Sequence, residues 1–215
     1  MVRIRRLALL AGLVVMGLVP AGMAQAALAQ PSQQDTQYLQ TIHQVNLAEV
    51  TGGNAAQQKS SNQQVQELGT RLANDHQQLD QTVQSTASSA GVTLPNAPTT
   101  EQQAVLDRLQ NLSGTEFDTQ WVTAELAGHQ QAIQATQTEV SQGTDPAVTQ
   151  LAQTALPVLQ AHYDALVALA QSLGVPVPGG SATPGTTVTP SPSVSSGVPS
   201  PTATATTEVP APGNS

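Results

Sequence analysis

The fold is decided by the stretch Phe117-Asp-Thr-Gln-Trp-Val-Thr-Ala-Glu125-Leu-Ala-Gly-His129-Gln-Gln-Ala-Ile133. Its apolar residues recur at intervals of three and four, as they do on one face of an α-helix. Val122, Leu126 and His129 share that face, and Glu125 lies one turn before His129. A carboxylate and an imidazole on the buried side of a helix cost free energy unless they are paired or bind a ligand. This stretch therefore predicts both a bundle helix and a site inside the bundle.

The same periodicity predicts four long helices and one short helix over residues 35–174. The long helices are expected from Asp35 to about Ala56, from about residue 62 to Ala90, from Ser113 to about Gln142 and from Asp145 to Gly174, with the short one from Thr100 to Leu112. The expected N-terminal caps are Asp35, Thr100 with Gln103, Ser113 with Glu116, and Asp145 followed by Pro146. Strand-type alternation is absent from this region of the sequence. The predicted fold is all-α: an up-down-up-down four-helix bundle with a short extra helix between its second and third long helices.

The two ends differ in composition from the helical region. A basic start, an uncharged run from Leu7 to Val19 and small-x-small cleavage sites predict that residues 1–29 are a secretory signal peptide. An uncleaved N-terminal anchor is the alternative, although the run is shorter than the roughly 20 residues that span a bilayer. Residues 30–34 are expected to be a short linker, and residues 175–215 a disordered Pro/Thr/Ser-rich tail that contacts the cell envelope or has no specific role. The protein is therefore expected in the periplasm, on the cell surface or outside the cell.

Composition narrows the possible functions. The chain contains no cysteine, which excludes disulfides, a lipoprotein anchor and a cysteine nucleophile. Beyond the predicted signal peptide there are three basic and fourteen acidic residues, a formal charge of −11. A surface with so few cations cannot displace counterions from phosphates, so nucleic acid is not expected as a partner. The mature chain has no predicted membrane span, and the sequence leaves the oligomeric state open.

The four histidines are distributed one to each long helix, with a repeated spacing. His43 and His76 are 33 residues apart, and so are His129 and His162. The midpoint of each interval falls in a predicted turn, so each histidine lies about 25 Å from its turn at about 1.5 Å per residue. If both hairpins pack with their turns at the same end, all four imidazoles stand at one height. A buried layer of imidazoles is the expectation.

Several ordered motifs resemble those of a known bacterial family. They are Asn46-Leu-Ala-Glu49, Asn74-Asp75-His76, Leu106-Asp-Arg-Leu-x-x-Leu-Ser-Gly114-x-x-Phe117-Asp118, His129, and Asp145-Pro146 followed by Leu156-Pro157-x-Leu-x-x-His162. Over about residues 35–173 the chain is similar to a ferritin-like "domain of unknown function" family that is often labelled predicted outer membrane protein. The resemblance implies a secreted or envelope-located bundle with no established activity. The recurring polar positions that it implies are Glu49, His76, His129, His162 and Ser113-Gly114-x-x-Phe117-Asp118, with an aromatic residue at Trp121.

Imidazoles and carboxylates on inward faces favour a transition-metal centre for Zn, Fe, Mn or Cu. The candidate ligands are Glu49, His76, His129 and His162, with Glu125, His43, Asp75 and Asp80 as supporting residues or alternatives. Di-metal sites of ferritin-like bundles use Glu-x-x-His pairs, which this chain lacks, so a standard di-iron oxidase is not expected. The alternative is a satisfied polar layer that holds the helices in register.

Three functions remain open at the level of sequence. The first is an envelope protein that binds a metal for storage, scavenging or stress protection. The second is a non-catalytic structural or interaction module of the cell envelope. An enzyme that uses the metal ranks below both, because no nucleophile and base stand in a recognisable arrangement and no catalytic residue is assigned.

Overall fold

The computed structural model describes residues 30–178, which form five α-helices and no strand. The helices are α1 (Gln33–Lys59), α2 (Gln63–Ala90), α3 (Thr100–Gln110), α4 (Gly114–Gln142) and α5 (Pro146–Leu173). The predicted all-α class, with four long helices and a short one, is confirmed. The predicted signal peptide and all but the first residues of the predicted tail lie outside the described residues. Within residues 30–178, no helix combines the length and apolar character needed to cross a bilayer.

The long helices pack around a common interior. Helix α1 contacts α2 and α4, helix α5 contacts the same two helices, and α3 lies against α1 and α4. Two apolar clusters fill the interior, one around Phe117 and Trp121 and the other around Leu39 and Leu159. On each long helix, the buried histidine falls between the segments that belong to the two clusters, as do Asn46 and Glu49 on α1 and Asp80 on α2. The fold therefore places a polar layer between two apolar layers.

The first helix begins earlier than predicted. Ser32 is its N-cap, and Asp35 completes a capping box with Ser32, so the prediction that Asp35 itself is the cap was wrong. Asp35 is instead fully buried and accepts hydrogen bonds from the backbone and hydroxyl of Thr144 and from the backbone N–H of Asp145. Although burial alone would raise the pKa of Asp35, the hydrogen bonds from Ser32 and Thr144 lower it well below its usual range. This carboxylate joins α1 to the turn between α4 and α5.

Two further predicted caps need correction. The capping box of α3 is formed by Thr99 and Gln102, one residue before the predicted pair, because the sequence offers the same pattern in both registers. Ser113 precedes α4 but makes no side-chain cap hydrogen bond, so its predicted box with Glu116 is wrong. The chain enters α4 through Gly114 with a φ of 59°, and from this approach the serine hydroxyl does not reach the first turn.

The remaining helix ends agree closely with the sequence. Asp145 caps α5 with Pro146 in the first turn, and Gly91 and Gly174 end α2 and α5, as predicted. Helix α1 extends past Ala56 to Lys59, and α3 ends at Gln110 rather than at Leu112. The residues at these two ends are polar, and their helix propensities do not determine whether the last turn is helical.

Helices α1 and α2 approach each other closely at a pair of glycines. A Cβ atom on Gly53 would lie 2.4 Å from the carbonyl oxygen of Gly69, and a Cβ on Gly69 would lie 2.5 Å from the Cβ of Ala56. Only residues without a side chain allow the two backbones to pack at this distance. The close approach lies on the same two helices that supply Asn46, Glu49 and His76 to the polar layer.

Candidate metal centre

Three of the four histidines meet in the polar layer. His76 of α2, His129 of α4 and His162 of α5 are almost completely buried, and we call them the imidazole triad. Their ring centroids lie 5.3–5.5 Å apart. One ring nitrogen from each lies within 4.8 Å of the other two. The structure therefore brings together three of the imidazoles that the sequence spacing placed at one height.

A hydrogen bond orients each of the first two rings. Nδ1 of His76 lies 2.8 Å from Oδ1 of Asn46, and Nδ1 of His129 lies 3.0 Å from the carbonyl oxygen of Glu125. Because both partners are oxygen acceptors, each ring donates its N–H at Nδ1. The lone pair of each ring is therefore at Nε2. Buried hydrogen bonds of this kind fix the tautomer and the orientation of metal-binding histidines.

The third ring, that of His162, donates from its other nitrogen. Nε2 of His162 lies 2.9 Å from a carboxylate oxygen of Asp75, so it donates its proton there. Asp75 is half-exposed and also lies 3.5 Å from Arg71. Nδ1 of His162 is buried without a hydrogen-bond partner among the described residues. The lone pair of His162 is therefore left at Nδ1.

The inner nitrogens are spaced like metal ligands. Nε2 of His76 and Nε2 of His129 are 3.4 Å apart, and both carry lone pairs in the tautomers given above. Two acceptors that face each other at this distance repel unless a cation lies between them. A tetrahedral zinc ion with bonds of about 2.0–2.1 Å to imidazole places its ligand nitrogens about 3.3 Å apart. The separation of these two nitrogens already matches one edge of that tetrahedron.

Burial keeps the triad neutral. It lowers the pKa of His76 well below its ordinary value, and charge on His129 or His162 would lower it further. Burial lowers the pKa of His129 to about 4. It also lowers the pKa of His162, although the hydrogen bond to Asp75 acts in the opposite direction. At neutral pH the three lone pairs are therefore free of protons, which is the state that binds a metal.

Glu49 and Glu125, which we call the carboxyl pair, lie beside the other nitrogen of His129. Nδ1 of His129 is 3.6 Å from Glu49 and 3.8 Å from Glu125. The sequence grouped Glu49 with the three histidines as a ligand, but the structure groups it with Glu125 and His129 instead. Burial raises the pKa of Glu49 well above its ordinary value, and the charge of Glu125 raises it further. Burial likewise raises the pKa of Glu125.

The fourth histidine has a separate partner. Nδ1 of His43 lies 2.6 Å from Asp80, and both side chains are nearly buried. Asp80 also accepts a hydrogen bond from Gln84. His43 therefore does not join the imidazole triad, and the predicted four-membered layer has three members. The reason is axial register: His43 lies opposite Asp80, whereas Asn46, three residues further along α1, lies opposite His76. At about 1.5 Å per residue, His43 therefore stands nearly one helical turn away from the triad.

Three residues of the site were not singled out as candidates by sequence reasoning. Asn46 orients His76, and its signals were a polar side chain on an otherwise apolar helix face and its place in the motif Asn46-Leu-Ala-Glu49. A Cβ on Gly52 would lie 2.9 Å from Oε1 of Glu125, and one on Gly128 would lie 3.3 Å from Oε1 of Glu49. These two glycines make room for the carboxyl pair, a role that sequence alone does not reveal.

Two positions implied by the family resemblance belong to the core below the site. Phe117 and Trp121 are completely buried, and the indole N–H of Trp121 donates to the carbonyl oxygen of Gly52 at 3.0 Å. Asp118 is buried as well, and its Oδ1 has no hydrogen-bond partner among the described residues. This end of α4 packs the bundle and supports the Gly52 backbone next to the carboxyl pair.

The fold and the site define a class of protein: a ferritin-like helical bundle with clustered histidines and carboxyl groups buried in its centre. A family model described as a domain of unknown function (DUF4142) matches residues 20–179. The chain belongs to that family, as its ordered motifs predicted. A comparison with curated proteins finds no match.

Two solved structures share the fold. A DUF305 fragment from Deinococcus radiodurans is similar at a TM-score of 0.58 and 15% identity, covering 67% of this chain and 97% of that one. A DUF305 protein from Streptomyces coelicolor, described as a predicted secreted protein, has a TM-score of 0.58 and 11% identity, covering 67% and 96%. At these identities the similarity concerns the fold alone.

Proposed function

We propose that this protein binds one transition-metal ion through Nε2 of His76, Nε2 of His129 and Nδ1 of His162. The observation that carries the proposal is the arrangement of the inner nitrogens: three neutral, buried lone pairs converge while each opposite nitrogen is anchored. A polar group buried without a partner costs about 1–3 kcal/mol. A bound cation would satisfy all three nitrogens at once.

The ligand set favours zinc or copper among the metals that the sequence left open. Imidazole nitrogens suit Zn and Cu, whereas non-haem Fe sites usually include a carboxylate ligand and Mn prefers oxygen ligands. The carboxyl pair lies on the far side of His129, where it would raise the basicity of that ligand rather than bind the same ion. Binding for storage, scavenging or stress protection requires no further group, so the proposed role is metal binding without catalysis.

We further propose that the protein acts outside the cytoplasm. Residues 1–29 have the charge and hydropathy pattern of a signal peptide, and the chain has no cysteine that would need a reducing compartment. The Streptomyces coelicolor neighbour is itself described as a predicted secreted protein. Detection of the chain in culture medium or an envelope fraction, with an N-terminus near residue 30, would test this localisation.

Metal analysis of the tag-free protein tests the proposed site. After dialysis against zinc, the wild type should retain one equivalent, and a His129→Ala/His162→Ala variant should retain none. A His43→Gln variant is the matched control, because it removes a buried histidine outside the triad and should keep one equivalent. At a free zinc concentration of 100 times Kd, the native state gains about 2.7 kcal/mol. For a domain of this size that gain raises Tm by roughly 5–10 °C.

Two results of this metal analysis would contradict the proposal. If zinc and copper neither bind stoichiometrically nor raise the Tm of the wild type, the triad is a structural layer that sets the positions of the helices. Equal retention of metal by the wild type and the double variant would place the ion elsewhere and would also overturn the proposal.

A further inference from the structure

A cavity of about 250 Å³ opens between α1, α3 and α4. Its walls are apolar and include Val45 and Ala48 of α1, Val105 and Leu109 of α3, and Ala124 of α4. The exposed side chains of Glu101 and Gln131 lie at its rim. None of the residues that line it belongs to the imidazole triad. The cavity is therefore a separate feature from the proposed metal centre.

The carboxyl pair forms the polar end of this cavity. Glu49 is 7% exposed and Glu125 is 6% exposed, and both line the cavity. Glu49 and Glu125 hydrogen-bond to each other, and their Oε2 atoms have no partner from any other described residue. Buried carboxyl oxygens are strong acceptors, and leaving them without donors is costly. Gly52 and Gly128 keep the space around the two carboxyl groups clear of side chains.

The chemistry of the cavity selects the ligand. Hard cations such as Ca²⁺ take six or more oxygen ligands, and the inner end of this cavity supplies only two carboxyl groups. An apolar wall with a few convergent polar groups is instead the usual composition of a site for a small organic molecule. A primary ammonium group supplies three donors, and a short aliphatic chain would cover the apolar walls.

We propose that this cavity binds a small organic ammonium compound, with the ammonium group on Glu49 and Glu125 and the aliphatic chain between α1, α3 and α4. The inference goes beyond metal binding and does not depend on it. The acidic character of the chain, with a formal charge of −8 over its full length, favours the approach of cations to the rim.

Titration of the full chain with n-butylamine, followed by NMR chemical shifts of the wall residues, tests the proposal. The neutral analogue 1-butanol has the same shape and is the matched ligand control. We expect n-butylamine to bind at least ten-fold more tightly than 1-butanol, and Glu49→Gln/Glu125→Gln to remove that preference. An Ala48→Leu variant should block both ligands by filling the wall without changing a charge. Glu101→Gln, at the rim, should weaken amine binding no more than two-fold.

Three results would overturn the inference. Equal binding of amine and alcohol would show that the cavity recognises only the aliphatic chain. Absence of binding by either ligand to the wild type would remove the site. Amine binding that survives the Glu49→Gln/Glu125→Gln change would place the ammonium group elsewhere.

The outcome is separable from that of the metal test. A His76→Ala/His162→Ala variant should lose zinc and keep the amine, while the Ala48→Leu variant, which changes neither the triad nor the carboxyl pair, should lose the amine and keep one equivalent of zinc. Either proposal can therefore fail without the other.

Discussion

Glu139 predicts how the stability of this protein depends on pH. Its side chain is completely buried near the C-terminal end of α4, where Oε2 accepts a hydrogen bond from Gln34 at 3.0 Å. Oε1 has no partner among the described residues. Burial raises the pKa of Glu139 to about 7, and the neighbouring charge of Asp35 contributes in the same direction. The native state therefore favours the protonated carboxyl group.

The sign and size of the effect follow from this shift. In the unfolded chain Glu139 has its ordinary pKa of 4.5, so between pH 4.5 and pH 7 the native state binds more protons than the unfolded state. Stability is then lost as pH rises through this interval and is constant above it. The full shift corresponds to about 3 kcal/mol. Because the neighbouring residues Ser141, Gln142 and Thr144 are exposed, nearby solvent screens the charge, and we expect about 1–3 kcal/mol.

A Glu139→Gln variant removes this titration and keeps the size of the side chain. Its free energy of unfolding relative to the wild type should rise by about 1–3 kcal/mol between pH 4.5 and pH 8. Urea denaturation at several pH values, with EDTA present to exclude metal binding, measures the difference. A Glu116→Gln variant at an exposed position is the control and should show no such trend. A difference between Glu139→Gln and wild type that is the same at every pH would refute the reasoning.

Two further predictions concern packing and pairing. Gly53→Ala should destabilise the protein by about 2–3 kcal/mol, because the new Cβ would overlap a backbone carbonyl of α2. Gly128→Ala, whose Cβ meets only a side-chain oxygen at 3.3 Å, should change the free energy of unfolding by no more than about 1 kcal/mol. Urea denaturation measures both changes. His43→Leu should cost about 3 kcal/mol because it leaves Asp80 buried without its partner, and adding Asp80→Leu should recover at least half of that loss. Neither leucine variant should change the zinc stoichiometry; loss of zinc would show that His43 contributes to the metal centre.

The sequence predicted a common height for three of the four histidines, because an α-helix has a fixed rise per residue. The two histidine pairs have the same spacing, and each pair is centred on a predicted turn. This symmetry predicted that the imidazoles lie in one layer. His76, His129 and His162 meet there, between the two apolar clusters. The strong N-cap at Asp145 and the glycine that ends α5 located the last helix correctly for the same reason: both depend on local chemistry.

What the sequence could not provide was the register between packed helices and side-chain conformation. His43 and Asn46 are three residues apart on α1, and their partners Asp80 and His76 are four residues apart on α2, so the register of the two helices decides which side chain reaches the triad. Glu49 was expected with the three histidines, but its distances to His129 and Glu125 depend on two glycines whose effect is visible only once the helices are packed. Tertiary neighbours therefore decided these details.

The structural and metal-binding interpretations of the polar layer differ in what they require of the inner atoms. A layer that only sets helix register reaches its lowest free energy when every buried donor meets an acceptor. In the imidazole triad the outer nitrogens meet this condition, but the inner ones do not: two Nε2 acceptors face each other at 3.4 Å, and Nδ1 of His162 has no donor among the described residues. One anchored N–H and one converging lone pair on every ring is the arrangement that a cation stabilises. Register alone would be served as well by a single histidine paired with Asn46, so three converging rings favour metal binding.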